Sequence, residues 1–151
     1  MDLSPDEDNF PERLLHQAAL WDNVELLQEL LLSGYEVDAR DACGRTALHA
    51  AALGERSRCL AALCVAGADV NARSDDRTGG GKTALHIAAE RGHVENIETL
   101  LSAGATLTTL DAGGCSALML AERSSHLHAI RLLTLAADPE RRNTEYCASQ
   151  S

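Results

Sequence analysis

A glycine-rich stretch from Asp75 to His86, DDRTGGGKTALH, has the composition of a loop that binds phosphate. Such a loop needs G-x-x-x-x-G-K-[ST] after a buried strand, because its backbone N–H groups must surround the phosphate oxygens. Here the first glycine position is Asp76, whose carboxylate would repel phosphate, and the preceding VNARSDD is not a hydrophobic strand. The stretch therefore does not predict nucleotide binding.

Three histidines recur at intervals of 33 and 37 residues, at His16, His49 and His86. Recurrence at one position of a repeated helix favours a repeated structural hydrogen bond over catalysis or metal binding. The other three histidines have no acidic or thiol partner at a spacing that suggests a site. Since no nucleophile, base and orienting group share a recognisable spacing, the sequence predicts no enzymatic activity, no cofactor and no metal ion.

Five cysteines are an odd number, and none belongs to a CxxC pair with matching histidines. This usage favours reduced thiols over a disulfide framework or a zinc site. Cys59 and Cys64 fall on a predicted helix and are expected in or near the core. Cys43 and Cys115 lie on turns two units apart, on the order of 20 Å, which is too far for a disulfide or a shared metal.

Composition and charge restrict the function further. No apolar run approaches the length of a membrane span, and the acidic N-terminus lacks the basic start and apolar middle of a signal peptide. A net charge of -10 argues against general binding of nucleic acid or anionic membranes. The sequence predicts one soluble domain in the cytoplasm or nucleus, with neither nucleic acid nor membrane as its partner.

The chain contains an internal duplication, because residues 44–73 align with residues 81–110 position for position. Segments that begin at Leu14 and Cys115 extend the duplication on either side. The period is 33 residues, but His49 and His86 are 37 residues apart. Four residues have therefore been inserted between the second and third units, and we place them at 74–77.

Each unit predicts two short helices. The first helix has a narrow stripe of small residues, as at Ala51 and Ala52, and the second has a broader aliphatic stripe, as at Leu60 and Leu63. Helix N-caps are predicted at Thr46, Thr83 and Ser116, and left-handed C-caps at Gly34, Gly67 and Gly104. Asp-x-x-Gly between units is typical of turns. Since one unit cannot bury both of its faces, the units must stack into a solenoid.

The pattern D-x-x-G-x-T-A-L-H-x-A-A followed by L-L-x-x-G-A-x-x, at a period of 33, resembles the ankyrin repeat. The resemblance covers roughly residues 10–138 and implies an all-α solenoid of stacked helix-turn-helix units joined by short β-hairpin-like turns. The sequence departs from the family pattern where alanine replaces the usual proline after Thr46 and Thr83, and where Met119 replaces the histidine of the fourth unit.

The resemblance divides the chain into four repeats between two tails. We expect an acidic disordered leader at 1–9 and a disordered tail at 139–151, with the repeats at 10–40, 41–73, 74–110 and 111–138. The first unit has no turn ahead of Arg13, and the fourth carries Glu122 where the others carry alanine. Both resemble end caps, so we expect the array to be complete.

Ankyrin-repeat proteins generally bind other proteins through the concave surface formed by the turn tips and the exposed side of the first helices. The resemblance therefore implies a protein-interaction module, an adaptor, scaffold or inhibitor that is monomeric alone. Two alternatives are an inhibitor or cofactor of a transcription factor, similar to the ankyrin-type inhibitors of NF-kappa-B, and an adaptor or regulatory subunit of an enzyme complex such as a ubiquitin ligase or kinase.

The ankyrin pattern also implies which side chains face a partner. The variable concave and turn positions are Leu20, Trp21, Arg40, Ala42, Cys43, Arg45, Leu53, Arg73, Arg77, Lys82, Glu90, Arg91, Ala112, Cys115 and Arg123. Seven of these are basic in an acidic chain, which favours a partner segment with acidic residues and an apolar anchor against Trp21. Two alternatives stay open: acidic neighbours neutralise the arginines, and Trp21 packs under Phe10 and Pro11 as part of a cap. The insertion is either a partner contact or a tolerated loop.

One short segment, LCVAGADVN from Leu63 to Asn71, resembles the ankyrin sites that the factor-inhibiting asparaginyl hydroxylase modifies. The resemblance implies Asn71 as a modification site. The alternative is that Asn71 only stabilises its turn.

Overall fold

The computed structural model describes residues 11–55, 57–75, 77 and 80–137. In that part of the chain, eight helices form four consecutive pairs. They are α1 (Pro11–Leu20), α2 (Val24–Leu32), α3 (Ala47–Ala52), α4 (Arg58–Val65), α5 (Ala84–Arg91), α6 (Val94–Ser102), α7 (Ala117–Arg123) and α8 (Leu127–Ala137). The predicted all-α architecture is confirmed.

The helices form two layers. The first helices of successive pairs pack on one another, α1 on α3, α3 on α5 and α5 on α7, and the second helices α2, α4, α6 and α8 do the same. Between the layers, Leu60 and Leu63 are fully buried, as are the alanines of the first helices at Ala51 and Ala88. Small side chains at these positions let the first helices lie close together. The repeats therefore share one continuous core.

The predicted caps are present at the helix ends. Thr46, Thr83 and Ser116 are the N-caps of α3, α5 and α7. Past the ends of the second helices, Gly34 and Gly67 have φ angles of +99° and +94°, a conformation that favours glycine.

The turns between repeats share one hydrogen-bond frame. Asp41 N–H donates to the carbonyl of Arg45 over 2.9 Å, and Arg45 N–H donates back to the Asp41 carboxylate over 2.9 Å. In the third repeat, Ser74 N–H donates to the Lys82 carbonyl over 2.8 Å, and Lys82 N–H donates to the Ser74 hydroxyl over 2.9 Å. Ser74 therefore belongs to the common frame, and the predicted start of the insertion at residue 74 is wrong. The longer connection is 75–81.

That longer connection is held by both neighbouring turns. Asp75 N–H donates to the carbonyl of Cys43 over 2.9 Å, and Ala112 N–H donates to the carbonyl of Gly80 over 2.9 Å. The two ends of the loop therefore lie within a row of turns that runs along the solenoid.

The leader at 1–9 and the tail at 139–151 lie outside the described residues. At the described end of the array, Glu122 is exposed, as expected for a residue on an outer face. None of the described helices is long and apolar enough to cross a membrane.

Candidate functional site

A buried histidine connects the second and third repeats. His49 Nδ1 accepts the backbone N–H of Thr46 over 3.1 Å, and His49 Nε2 lies 2.6 Å from the carbonyl oxygen of Lys82. Because an amide N–H can only donate, Nδ1 is the acceptor and Nε2 carries the proton. Burial lowers the pKa of His49 to about 4, which keeps the ring neutral.

The same bond recurs along the array. His16 Nε2 contacts the carbonyl of Arg45, and His86 Nε2 lies 3.0 Å from the carbonyl of Cys115. Burial also lowers the pKa of His86. The predicted structural role of these three histidines is confirmed, and each one fixes the start of the next repeat's first helix.

A groove of about 620 Å³ opens beside these bonds, where α1, α3 and α5 meet the first inter-repeat turn. Six residues that the sequence places on the concave surface line it, namely Leu20, Arg40, Ala42, Cys43, Arg45 and Leu53. The remaining lining residues are His16, Gln17, Asp41, His49, Ala50 and Ile87. The structure therefore brings together six of the predicted residues of the first two repeats, but not Trp21 or Arg73.

The predicted residues that do not line this groove are Trp21, Arg73, Arg77, Lys82, Glu90, Arg91, Ala112, Cys115 and Arg123. Arg77 and Arg91 are exposed. Arg123 donates to the sulfur of Cys115 over 3.4 Å. Except for Trp21 and Arg73, these side chains lie on the third and fourth repeats.

The groove joins an apolar surface to a basic rim. Leu20, Leu53 and Ile87 supply aliphatic side chains, and Leu20 is 52% exposed. The guanidinium of Arg45 lies at the rim, with 46% of its side chain exposed. An extended segment with apolar and acidic side chains matches this combination.

Two of the predicted arginines hold the turns in place. Arg40 Nη1 donates to the carbonyls of Gly44 and Arg73 over 2.9 and 2.6 Å. Arg73 Nε donates to the carbonyl of Gly81 over 3.0 Å. Both arginines therefore contribute to the framework of the turns.

Two cations have acidic partners. Arg45 Nε lies 3.6 Å from a carboxylate oxygen of Asp41, and Lys82 Nζ lies 3.0 Å from a carboxylate oxygen of Glu90. These pairs are the counter-charges that the sequence left as an alternative to partner binding. Since they are partly exposed, their stabilisation is modest and an acidic partner could replace them.

Trp21 follows α1 and is 65% exposed. It is next to Leu20 in the chain but does not line the groove. The proposed packing against Phe10 and Pro11 lies outside the described side chains. Trp21 is thus a large apolar surface near one end of the groove.

Asn71 connects two turns. Its Oδ1 accepts the N–H of Thr106 over 2.7 Å, and its Nδ2 donates to the carbonyl of Gly104 over 3.4 Å. Both contacts belong to the next repeat, so the side chain does more than stabilise its own turn. The residue is nevertheless exposed.

The cysteines of α4 lie in or near the core, as predicted. Cys59 is fully buried, and burial raises the pKa of its thiol to about 12. Cys64 is partly buried, and burial raises its pKa as well. Among the described residues, no group of three or more metal-ligating side chains is close enough to hold an ion.

The repeated helix pairs agree with a family model. The model of ankyrin repeats (3 copies) matches residues 15–111 and 79–143. The chain belongs to the ankyrin-repeat family. Ankyrin repeats are generally non-catalytic protein-interaction modules, and the groove lies along the first helices and turns of this ankyrin array.

Three curated relatives have similar sequences. The ankyrin array is 33% identical to Inversin of Gallus gallus over 79% of the chain, and 30% identical to the B-cell lymphoma 3 protein homolog of Mus musculus over 84%. It is 34% identical to the ankyrin repeat and KH domain-containing protein mask-1 of Caenorhabditis elegans over 82%. The chain spans only 10%, 29% and 5% of these relatives.

Six lining residues were not placed on the concave surface from the sequence, and three of them, Gln17, Ala50 and Ile87, share one pattern. Each directly follows one of the recurring histidines, so they occupy one position of the ankyrin repeat. Stepping one residue from each histidine would have placed them on the exposed side of the first helices.

Proposed function

We propose that this ankyrin array is a protein-interaction module that binds a segment of a partner protein in the groove beside α1, α3 and α5. The observation that supports this most directly is the groove itself, in which aliphatic side chains adjoin the exposed guanidinium of Arg45. Arginine forms paired hydrogen bonds with a carboxylate, so we propose that the partner segment is acidic.

The apolar part of the groove gives the proposed partner a second requirement. Leu53 and Ile87 contribute aliphatic surface that an acidic side chain alone would leave exposed. We therefore propose a segment that carries at least one large apolar residue beside its carboxylates. Such an anchor supplies most of the binding energy in many interfaces, while charges set orientation and association rate.

Copurification from cell extract followed by mass spectrometry identifies the partner. Recovery of a transcription factor would support the inhibitor or cofactor role, and a ubiquitin-ligase subunit or kinase would support the adaptor role. Recovery of a binding protein whose segment is neither acidic nor apolar would contradict the partner chemistry proposed here.

A matched pair of charge reversals tests the groove. Arg45→Glu should weaken partner binding by roughly tenfold and reduce its salt dependence, because it reverses a charge at the rim. Arg58→Glu makes the same change at an exposed position of α4 and should leave binding unchanged. Calorimetric titration at two salt concentrations measures both effects. Equal loss in the two variants would mean that only the overall charge matters.

Trp21→Ala tests the apolar anchor. If Trp21 contacts the partner, its truncation should cost roughly 2 kcal/mol of binding free energy. Because the indole is 65% exposed, we expect the melting temperature to stay near that of the parent. A lower melting temperature with unchanged affinity would assign Trp21 to the cap.

A further inference from the structure

The segment before α1 has an unusual charge for its length. Among residues 1–10, four are acidic and none is basic, while the whole chain has a net charge of -10. The same segment contains three large apolar residues, Met1, Leu3 and Phe10. It therefore has the acidic and apolar composition that the groove would recognise.

The segment also begins next to the groove. Residues 1–10 join the fold at Pro11, the first residue of α1. Five residues further on, His16 lines the groove and contacts the carbonyl of Arg45. At 1.5 Å per helical residue, Pro11 is about 8 Å along α1 from His16. An extended segment covers about 3.3 Å per residue, so ten residues can cross the groove.

We propose that residues 2–9 of this chain bind in its own groove, with their carboxylates against the basic rim at Arg40 and Arg45. Charge complementarity, the apolar surface at Leu20 and Leu53, and the short connection through α1 support the same occupant. The docking needs no external protein. Its consequence, competition with a partner for the groove, rests on the proposed function.

Because residues 2–9 are covalently attached to α1, even a weak contact is enough for them to occupy the groove part of the time. A short flexible connection holds a bound segment at an effective concentration of about 1 mM. A groove with a dissociation constant near that value would be half occupied, and a competing ligand would bind about twofold more weakly. Neutralising the leader should therefore raise the affinity for a competing acidic peptide about twofold or more.

Nuclear magnetic resonance of the full chain tests the docking directly. The leader variant carries Asp2→Asn, Asp6→Asn, Glu7→Gln and Asp8→Asn. We expect its backbone amide signals to move at Cys43, Arg45 and Leu53 and to stay in place along α8. The matched control neutralises the other end of the chain with Asp138→Asn, Glu140→Gln and Glu145→Gln, and should leave the groove signals unmoved.

A substitution on the groove side tests whether Arg45 contacts the leader. In an Arg45→Gln background, the leader variant should cause clearly smaller shifts in the groove, because one of its ionic contacts is already lost. The proposal would be overturned if the groove amide signals did not move when the leader is neutralised, or if they moved equally in the tail control. Shifts that grow with protein concentration would assign the groove to the leader of a second copy and overturn the intramolecular form.

A synthetic peptide of residues 1–12 distinguishes this inference from the proposed function. When the peptide is titrated into the leader variant, the same groove amides should reach half of their full shift at about half the peptide concentration that the parent requires. Groove shifts without any copurified partner would support self-docking and leave partner binding unsupported. A partner that binds the groove equally well with and without leader charges would support the module and overturn the competition.

Discussion

The imidazole of His49 must be uncharged to make both of its hydrogen bonds. Protonation would place a hydrogen on Nδ1, which accepts the N–H of Thr46, and that contact would become repulsive. His49 is only 1% exposed, so water cannot replace the lost bond. The connection between the second and third repeats is therefore linked to pH.

We predict that acid weakens the fold through His49. Its pKa is near 6.5 in the unfolded chain and about 4 in the folded one. Between these values the unfolded chain binds more protons, so the free energy of unfolding falls as pH decreases from about 6.5 to about 4. Between pH 7 and pH 5 the loss from this residue should be about 2 kcal/mol. Urea unfolding at both pH values measures it.

The His49→Gln variant provides the comparison, because glutamine does not titrate. We expect it to be less stable at pH 7 and to lose less stability between pH 7 and pH 5 than the parent. His128→Gln makes the same change at an exposed histidine of α8 and is the matched control. An identical pH dependence in parent and His49→Gln would show that other groups cause the effect.

The proposed hydroxylation of Asn71 has a direct assay. Incubation with the asparaginyl hydroxylase and 2-oxoglutarate should add one oxygen atom to the peptide that contains Asn71, as measured by mass spectrometry. Because Asn71 binds Gly104 and Thr106, the enzyme must first open those contacts. We therefore expect faster modification when the array is partly unfolded in urea that the enzyme tolerates. Unmodified Asn71 in both conditions would refute the proposal.

The role of a residue could be predicted from the sequence where the residue recurs in each repeat and its side chain can form only a few kinds of interaction. The histidines met both conditions, and their structural bond is confirmed. Arg40 and Arg73 also lie 33 residues apart, yet their bonds to turn carbonyls were not foreseen. A guanidinium has five donors, and only the conformation of the turns decides which carbonyl it meets.

Among the elements, the helices were easier to predict than the turns. Apolar periodicity and hydroxyl N-caps located α3, α5 and α7, because both signals act within one or two helical turns. The 37-residue spacing from His49 to His86 gave the length of the insertion but not its exact place, and Ser74 lacks the carboxylate of the other turns. Its hydroxyl nevertheless accepts the N–H of Lys82 as a carboxylate would.

Removing residues 76–79 would give the third turn the length of its neighbours. Three residues would then separate Ser74 from Lys82, as three separate Asp41 from Arg45. Since Asp75 and Gly80 keep their bonds to adjacent turns, we expect the free energy of unfolding to change by less than about 1 kcal/mol. Calorimetric melting measures this change.

Affinity then decides what the loop does. Unchanged partner binding by the trimmed chain would make the loop a tolerated insertion, and weaker binding would make it a contact. A control that replaces residues 77–78 with Gly-Ser keeps the loop length and removes Arg77. A large fall in melting temperature on trimming would contradict the frame assigned to Ser74.

At the scale of the whole molecule, stability comes from interfaces between adjacent repeats. The helices of the second and third repeats pack against a repeat on either side, while α8 packs against α6 and α7. In such arrays each interface adds its own contribution to stability. We therefore predict slower amide hydrogen exchange in α4 and α6 than in α8, as measured by mass spectrometry or nuclear magnetic resonance.

A single substitution should allow the fourth repeat to open independently of the others. His86→Gln weakens the bond to the Cys115 carbonyl, so exchange should accelerate in α7 and α8 more than in α4. Uniform acceleration across all helices would instead indicate that the array unfolds as one cooperative unit.

The course of the solenoid could be predicted from the sequence, whereas the extent of the groove could not. Repetition located the concave side, because equivalent residues in each ankyrin repeat face the same direction. The open volume, however, depends on the side chains present at each repeat. Leu20, Leu53 and Ile87 leave it open beside the first turn, a result of packing over several repeats.

The ion pair between Lys82 and Glu90 has a consequence for covalent modification. Lys82 is the single lysine among these 151 residues, since the other cationic side chains are arginines. Any enzyme that acylates a side-chain amine of this segment, or attaches ubiquitin to one, must act at Lys82. Its carbonyl accepts the His49 bond, and its amine contacts Glu90. Such a modification would break the contact with Glu90 at the residue whose carbonyl holds His49, so the single lysine lies where the second and third repeats are joined.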